Sequence, residues 1–186
     1  MLLIREYLEE CDAPAVGRLI ADTFSEFNLT FAPTEERNLH LGPFQYARSL
    51  EAGHQTEIAR LIWAEMVYVA EEEGEIVGML RGNLHGYGRL LSLYVRGEYQ
   101  WRGIGRKLVE RFEQDCLWEG VRQVRLASTL YAVPFYLKLG YKRSTGVRTG
   151  FGFEGRGLVY QPMKKYLYEK RWKKWKRRAP DTKTLW

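Results

Sequence analysis

The sequence predicts an α+β fold built on a mixed, mostly antiparallel β-sheet. Segments 66–72 (MVYVAEE) and 75–83 (EIVGMLRGN) alternate like strands on either side of a Glu-Gly turn, which predicts an antiparallel hairpin. A helical segment at 102–118 separates two further strand segments, 89–95 and 121–128. Because a helix between two strands acts as a crossover connection, these two strands are expected to be parallel neighbours.

The other elements follow in order along the chain. Residues 2–7 predict the first strand, and Asp12 and Pro14 predict the start of the first helix, as its N-cap and in its first turn. The rest of the chain is predicted to form a helical region at about 34–64, a short helix at 131–139 ended by Gly140, and a final pair of strands at 141–147 and 157–163.

The composition is that of a folded domain with a buried core. Of the 186 residues, 45% are hydrophobic, which excludes an intrinsically disordered chain. Cys11 and Cys116 are far apart and the three histidines show no metal-ligand spacing, so neither a disulfide framework nor a bound metal is predicted. No apolar run approaches the roughly 20 residues of a membrane span, and no signal-peptide pattern is present. We therefore expect a cytoplasmic protein that is not transmembrane.

Positive charge is concentrated toward the C-terminal end. The net charge is +6, but segment 164–178 alone holds nine Lys or Arg and one Glu, a balance of +8. Because Asp181 and Lys183 cancel, residues 1–163 carry a charge of −2. The contrast predicts a folded domain at 1–163 and a basic, Trp-containing tail at 164–186, which is expected to be helical.

Three interpretations of this tail stay open. Its Leu and Trp side chains could dock on the domain or on a second subunit, which is the ordinary role of a basic amphipathic segment. The mixture of Lys, Arg and Trp also suits nucleic acid, through phosphate contacts and ring stacking. The same composition suits an anionic membrane surface.

The segment QWRGIGRK forms a strand-to-helix corner with the features of a phosphate site. Gly103 and Gly105 lie among three cationic side chains, Arg102, Arg106 and Lys107. The first N–H groups of a helix lack intrahelical partners and attract anions, and glycine lets the main chain approach a phosphate closely. The P-loop pattern and the third glycine of the dinucleotide fingerprint are absent. Taken alone, the segment is equally consistent with a tight turn before a basic helix.

Two motifs together give the sequence a resemblance to the GNAT acetyltransferase superfamily. QWRGIG, from Gln100 to Gly105, matches the family's acyl-CoA motif Q/R-x-x-G-x-G/A after a strand. AVPFYLKLGY, from Ala132 to Tyr141, matches a second family motif. The element order over most of residues 1–163 also agrees. The resemblance implies the GNAT fold, a mixed sheet of six to seven strands with flanking helices, splayed between its fourth and fifth strands.

The resemblance further implies that acetyl-CoA binds in this splay as the cosubstrate, without a metal. The carbonyl of Leu93 and the N–H of Val95 would pair with the pantetheine arm, and the diphosphate would rest on backbone N–H groups from Trp101 to Arg106. Thr129 stands where many relatives carry an asparagine that touches the pantetheine. The implied coenzyme-binding residues are Leu93, Val95, Gln100, Trp101, Arg102, Gly103, Ile104, Gly105, Arg106, Thr129, Ala132 and Tyr136.

Two residues are implied to take part in the chemistry. The N–H of Val95 would stabilise the oxyanion, and the phenol of Tyr136 would protonate the departing thiolate. The alternative role of Tyr136 is to pack its ring on the sheet. The fourth strand carries no carboxylate where some relatives have a glutamate base, so Glu65 and a water chain both stay open as the general base. Ser92 and Tyr94 could face the acceptor or simply pack.

The implied function is transfer of an acetyl group to a primary amine, on a small molecule or a peptide, by direct attack on the thioester. The acceptor would contact residues 24–46 and 149–157, both rich in aromatic side chains that could equally fill the core. Relatives are often dimers, so a homodimer is an open expectation. Because no base is visible, the alternative is a non-catalytic module that binds coenzyme A and uses its tail to bind RNA or a partner.

Overall fold

The computed structural model describes residues 1–168, and these form eight strands and five α-helices. The strands are β1 (Leu2–Glu6), β2 (Met66–Glu72), β3 (Glu75–Leu84), β4 (Gly88–Val95), β5 (Gln123–Thr129), β6 (Lys142–Arg143), β7 (Arg148–Gly152) and β8 (Gly155–Tyr166). The helices are α1 (Glu9–Asn28), α2 (Thr34–Leu41), α3 (Ala52–Ile62), α4 (Ile104–Trp118) and α5 (Val133–Lys138). Short 3₁₀ turns occur at Gly42–Tyr46, Gly97–Tyr99 and Leu130–Ala132.

All eight strands belong to one mixed sheet. Its order is β1-β2-β3-β4-β5-β8-β6, and β7 pairs with the first half of β8. The β4–β5 pair, joined by α4, is parallel, and every other pair is antiparallel. The predicted α+β class, the hairpin and the parallel crossover are therefore confirmed.

The two faces of the sheet are covered by different helices. Along β2, Tyr68 and Ala70 join the apolar cluster under α4 and α5, whereas Val69 joins the cluster under α1 and α3. This division follows from the two-residue period of a strand, which sends successive side chains to opposite faces. Within residues 1–168, no helix combines the length and the apolar character that crossing a bilayer requires.

The end of the sheet differs from the sequence prediction. The predicted strand at 141–147 shrinks to β6, which pairs over only two residues, and β7 forms in the glycine-rich connection that was predicted as a loop. The sheet therefore has eight strands rather than six to seven. Its last strand also continues past residue 163. There Lys165 forms an ion pair with Glu113 of α4 at 2.6 Å, and Leu167, just after the strand, is buried.

These last strand residues were predicted to belong to the basic tail. Residues 164–167 instead complete the sheet, and the N–H of Leu167 donates to the carbonyl of Arg122 at 2.8 Å. The predicted helical tail beyond them, from residue 169, lies outside the described residues.

Helix α1 begins at Glu9, three residues before the predicted N-cap, Asp12. Asp12 is buried in the first turn, where its carboxylate accepts the N–H of Leu8 at 2.8 Å and two N–H groups of Arg5 at 2.6 and 2.9 Å. Desolvation raises the pKa of this carboxyl, but the hydrogen bonds from Arg5 and Leu8 outweigh it and lower the pKa overall. Asp12 therefore satisfies the helix start from inside the first turn.

Candidate active site

The sheet opens between β4 and β5. The two strands pair only from Gly88 to Leu90 on β4, opposite Val124 to Leu126 on β5. The register of β4 against β3 shifts at this point, which leaves Leu91 as an extra residue in a bulge. Beyond the bulge, β4 continues to pair with β3 and has no ladder partner on its β5 side within the described residues. The result is a wedge between the ends of the two strands, as the resemblance implied.

The main-chain groups of Val95 and Leu93 point toward this wedge. The N–H of Arg96 donates to the carbonyl of Val77 at 3.0 Å. Because hydrogen-bonded and non-hydrogen-bonded pairs alternate along an antiparallel ladder, the adjoining pair of Val95 with Gly78 is non-hydrogen-bonded. Leu93, two residues earlier, has the same orientation. Their N–H and C=O groups are therefore directed away from β3.

The corner between β4 and α4 has a sharply turned main chain. Trp101 and Gly103 both adopt left-handed backbone conformations, with φ of 63° and 82°. For Trp101 this conformation costs on the order of 1–3 kcal/mol. The first intrahelical hydrogen bond runs from Lys107 N–H to Gly103 C=O, at 3.1 Å. The N–H groups of residues 104–106 therefore precede the hydrogen-bonded body of α4 and lack intrahelical partners.

Gly105 lets three elements approach one another. A Cβ added at this position would lie 3.3 Å from Cζ of Phe135 on α5 and 3.7 Å from Cγ2 of Val95 on β4. Gly103 has a different reason to be glycine, because its positive φ disfavours any side chain and nothing lies within 4 Å of an added Cβ. Ile104, between them, is a core residue, 2% exposed.

The three cations of the corner differ in whether a carboxylate compensates their charge. Arg102 forms an ion pair with Glu72 at 2.9 Å, and its guanidinium lies 4.9 Å from the ring centre of Tyr99. Arg106 and Lys107 are exposed and form no ion pair with any described residue. The uncompensated charge therefore lies on the first turn of α4, beside the unpartnered amides.

Gln100 ties the two sides of the wedge together. Its side-chain amide donates to the carbonyl of Val95 at 3.1 Å and accepts the hydroxyl of Tyr131 at 2.7 Å. Tyr131 follows β5 and stacks on Phe27 of α1, with ring centres 5.3 Å apart. Gln100 thus fixes the last peptide of β4 through its side chain, and its own N–H is bonded to Gly97.

Tyr136 lies buried on α5, in the same apolar cluster as Val95. Burial, and next the neighbouring hydroxyl of Tyr94, raise the pKa of Tyr136 far above its ordinary value. Its hydroxyl makes no hydrogen bond with the described residues, and its ring meets that of Tyr141 edge-on at 5.5 Å. Thr129 ends β5, opposite Tyr160 of β8, so it borders the wedge from the β5 side.

Ala132 packs beside these residues as the residue that precedes α5. It is partly buried against the same apolar cluster, so the second motif lies along the wedge. Together the positions quoted from the two motifs gather around one opening in the sheet.

Glu65 lies at the wrong end of β4 to serve as the base. Its N–H donates to Asn83 Oδ1 at 3.0 Å and its carboxylate accepts the N–H of Leu84. Leu84 pairs with Gly88, the first residue of β4, whereas Val95 is the last. At about 3.3 Å per residue, the two ends are roughly 20 Å apart. The role of Glu65 is to hold the β3–β4 turn.

A cavity of about 210 Å³ lies on the α1 side of β4. Ser92 and Tyr94 line it from β4, so both side chains that the sequence left undecided border this space. Its remaining walls are aliphatic, aromatic or cationic, and are formed by Ile20, Phe24, His40, Leu41, Phe44, Arg81 and Phe153. Both chain regions predicted to contact an acceptor therefore contribute to one cavity.

A second, wider cavity of about 540 Å³ adjoins the first. Phe153, in the β7–β8 turn, borders both cavities and is held against Gly42, where an added Cβ would lie 2.5 Å from its ring. The floor of the second cavity includes Tyr46 and His54, whose rings stack at 4.2 Å. We call the first cavity the inner cavity and the second the outer cavity, and the ring of Phe153 lies between them.

Arg81, the cation of this cavity, lies outside both regions that the sequence predicted to contact the acceptor. Arg81 interrupts an apolar strand segment, MLRGN, and that interruption was the available signal. His40 is one of the three histidines without metal-ligand spacing, and the sequence gives it no specific role. It is 1% exposed, and its Nδ1 has no hydrogen-bond partner in the described structure.

Comparison with known proteins identifies relatives over most of the chain. A family model described as an acetyltransferase (GNAT) domain matches residues 48–167. An uncharacterized N-acetyltransferase from Methanocaldococcus jannaschii is 30% identical over 131 residues, which span 67% of this chain and 78% of that protein.

Solved structures share the fold. The GCN5-related N-acetyltransferase from Rhodopseudomonas palustris has a TM-score of 0.68 at 21% identity, covering 89% of this chain and 95% of that one. The PaiA N-acetyltransferase from Thermoplasma acidophilum, solved in complex with coenzyme A, has a TM-score of 0.66 at 19% identity, covering 90% and 99%. The resemblance stated from the two sequence motifs is confirmed.

Proposed function

We propose that this chain, which belongs to the GNAT acetyltransferase family, transfers an acetyl group from acetyl-CoA to a primary amine by direct attack on the thioester. The observation that carries the proposal is the wedge beyond Leu90, where the main-chain edge of β4 is unpaired beside the first turn of α4. The coenzyme A found in the PaiA relative supports the identity of the cosubstrate.

The main chain would hold the cosubstrate. The pantetheine arm would lie along β4 as an added strand, pairing with the carbonyl of Leu93 and the N–H of Val95. The diphosphate would accept hydrogen bonds from the amides around Gly103 and Gly105, with Arg106 supplying charge. Of the predicted cationic contacts, Arg102 is the weakest, because Glu72 already compensates it.

The reaction then needs one bond made, one bond broken and two proton movements. The amine nitrogen attacks the thioester carbon, and negative charge develops on the carbonyl oxygen, which the N–H of Val95 is oriented to receive. As the tetrahedral intermediate collapses, the C–S bond breaks and the thiolate takes a proton from Tyr136. The attacking amine loses its own proton to water, since the described residues place no carboxylate in the inner cavity, and the Tyr136 phenolate regains a proton from water, which closes the cycle.

The raised pKa of Tyr136 affects how well its phenol can donate a proton to the thiolate. Desolvation is its main cause, so the phenol stays protonated at neutral pH, which an acid requires. The same desolvation disfavours the phenolate that remains after proton transfer. The hydroxyl is therefore effective only toward a thiolate that is desolvated as well, as it would be inside the wedge. Family membership favours this enzyme over the non-catalytic coenzyme A-binding module.

The test is release of the coenzyme A thiol from acetyl-CoA with a panel of primary amines, together with the mass of the acetylated product. Tyr136→Phe should lower kcat by roughly a hundredfold or more while coenzyme A still binds. The matched control is Tyr141→Phe, which removes a buried, unpartnered hydroxyl from the adjoining ring. Equal kcat values for Tyr136→Phe and the wild type would show that Tyr136 is not the general acid.

A further inference from the structure

We propose that the inner cavity selects an amine that also carries a carboxylate on a single aromatic or branched apolar body, as an apolar α-amino acid does. The inference rests on the proposed function, because it names the acceptor of that reaction. It is carried by a cation, Arg81, that lines a mostly apolar cavity without a counter-ion among the described residues.

Arg81 is held in place but its charge is not neutralised. Its Nε donates to the hydroxyl of Ser92 on the neighbouring strand at 3.3 Å, and Nη1 donates to the carbonyl of Leu61 at the end of α3. No described Asp or Glu pairs with it, and Nη2 has no acceptor among the described residues. A partly buried guanidinium without a carboxylate is costly, because removal from water is not offset by a partner.

Burial lowers the pKa of Arg81, yet an arginine side chain stays charged at neutral pH. The cavity therefore presents a fixed positive charge to whatever enters it. A guanidinium with free N–H groups matches the planar, two-oxygen geometry of a carboxylate. An anionic group on the acceptor would supply the counter-ion that the protein lacks.

His40 fixes another part of the cavity wall. The imidazole is 1% exposed and lines the same cavity, but its Nδ1 has no partner in the described structure. The ring is fixed between Phe31, edge-on at 5.4 Å, and Gly155, where an added Cβ would lie 2.3 Å from it. Nδ1 is among the ring atoms packed against Gly155, so the imidazole is a fixed part of the cavity wall.

Size and composition limit the rest of the acceptor. A cavity of about 210 Å³ is somewhat larger than the roughly 150 Å³ apolar cavity that accommodates benzene. It therefore holds one ring or branched aliphatic group with a short polar extension. Its aromatic walls are Phe24, Phe44, Tyr94 and Phe153. The absence of Asp and Glu from the described lining disfavours amines with several positive charges.

The experiment compares three related acceptors with the full-length chain and acetyl-CoA: phenylalanine, phenylalaninamide and phenethylamine. The proposal predicts that kcat/KM for phenylalanine exceeds that for the other two by about tenfold or more, the effect of a charge-assisted hydrogen bond. The comparison is stringent, because the amide's amine gives up its proton more readily than that of the amino acid. Equal values, or a preference for either compound that lacks the carboxylate, would overturn the proposal.

Substitutions at Arg81 assign the preference to this side chain. Arg81→Gln should bring the ratio between phenylalanine and phenethylamine to about one, and Arg81→Lys should retain part of it because the charge remains. Arg48→Gln is the control, since Arg48 is an exposed arginine paired with Asp22. If Arg81→Gln lowered all three rates equally, Arg81 would be structural and the proposal would be wrong. If this variant does not fold, the wild-type comparison alone decides.

Failure of the proposed function would look different, because none of the three amines would then be acetylated. The cavity is still tested by calorimetry with N-acetylphenylalanine and N-acetylphenethylamine. Binding of the acid about tenfold more tightly than its neutral analogue would support the proposal. Equal affinities would overturn it whatever the catalytic outcome.

Discussion

At the scale of a single side chain, Gln100 holds the end of β4. It is the first residue of the acyl-CoA motif, yet its side chain contacts the protein rather than open space, through Val95 on one side and Tyr131 on the other. The bonded carbonyl belongs to the peptide that follows the Val95 N–H, so we expect the side chain of Gln100 to restrain the end of β4 that carries this N–H. The motif position therefore matters for the geometry of β4 as well as for the turn.

Gln100→Leu should reduce catalysis more than it reduces stability. Loss of two side-chain hydrogen bonds costs about 1–3 kcal/mol of unfolding free energy, whereas a freed Val95 peptide should lower kcat by about tenfold or more. Gln123→Leu is the control. Gln123 is the first residue of β5, at the end opposite Thr129, and the change removes its side-chain contact to Arg125. A Gln100→Leu enzyme with wild-type kcat would show that the tether does not orient Val95.

Arg81 and His40 show where sequence reasoning stops at this scale. The pattern of β3 reveals a cation within an apolar strand, but only the three-dimensional register shows that it lies opposite Ser92 and beside a cavity. His40 comes into contact with Gly155 from a distant part of the chain, and nothing local to either residue indicates this.

At the scale of elements, the joint between β3 and α4 depends on Gly82. An added Cβ there would lie 2.5 Å from the ring of Phe112, which is fully buried, and 2.8 Å from the carbonyl of Arg89. The second contact is with main chain, so rotation of a side chain cannot relieve it. This close approach lies next to the bulge at Leu91 that begins the wedge.

Gly82→Ala should therefore destabilise the fold, by about 1–3 kcal/mol as typical of overpacked cores. Gly53→Ala is the matched control, since it lies in α3 with nothing within 4 Å of an added Cβ, and should be neutral or mildly stabilising. Urea unfolding of both variants measures the difference. Equal midpoints would contradict the packing described at this joint.

Sequence pattern was sufficient for the elements whose signal is local. The hairpin of β2 and β3, the crossover helix α4 and the corner at Gly103 follow from strand alternation, a turn, and glycine before a helix. The start of α1 was misplaced because Asp12 is held by Arg5 from β1, a tertiary contact. Strand β7 was missed because its ladder with β8 lies in a glycine-rich segment with weak strand propensity.

At the scale of the whole molecule, the sheet consists of two halves that pair with each other at only three residue positions. Strands β1 to β4 form one half and β5 to β8 the other, with α4 connecting them. The wedge exists because the short parallel joint ends at Leu90, while both halves remain paired on their outer sides. The candidate coenzyme site and the proposed acceptor cavity thus lie where the two halves of the sheet meet.

If main-chain amides where β4 and β5 separate hold the cosubstrate, a titration of the ¹⁵N-labelled full chain with coenzyme A, followed by NMR, will locate them. We expect saturable shifts that are largest for the amides of Val95 and residues 104–106, with amides in α3 nearly unchanged. Saturable binding with the largest shifts elsewhere, or no shifts at all from well-folded protein, would contradict it.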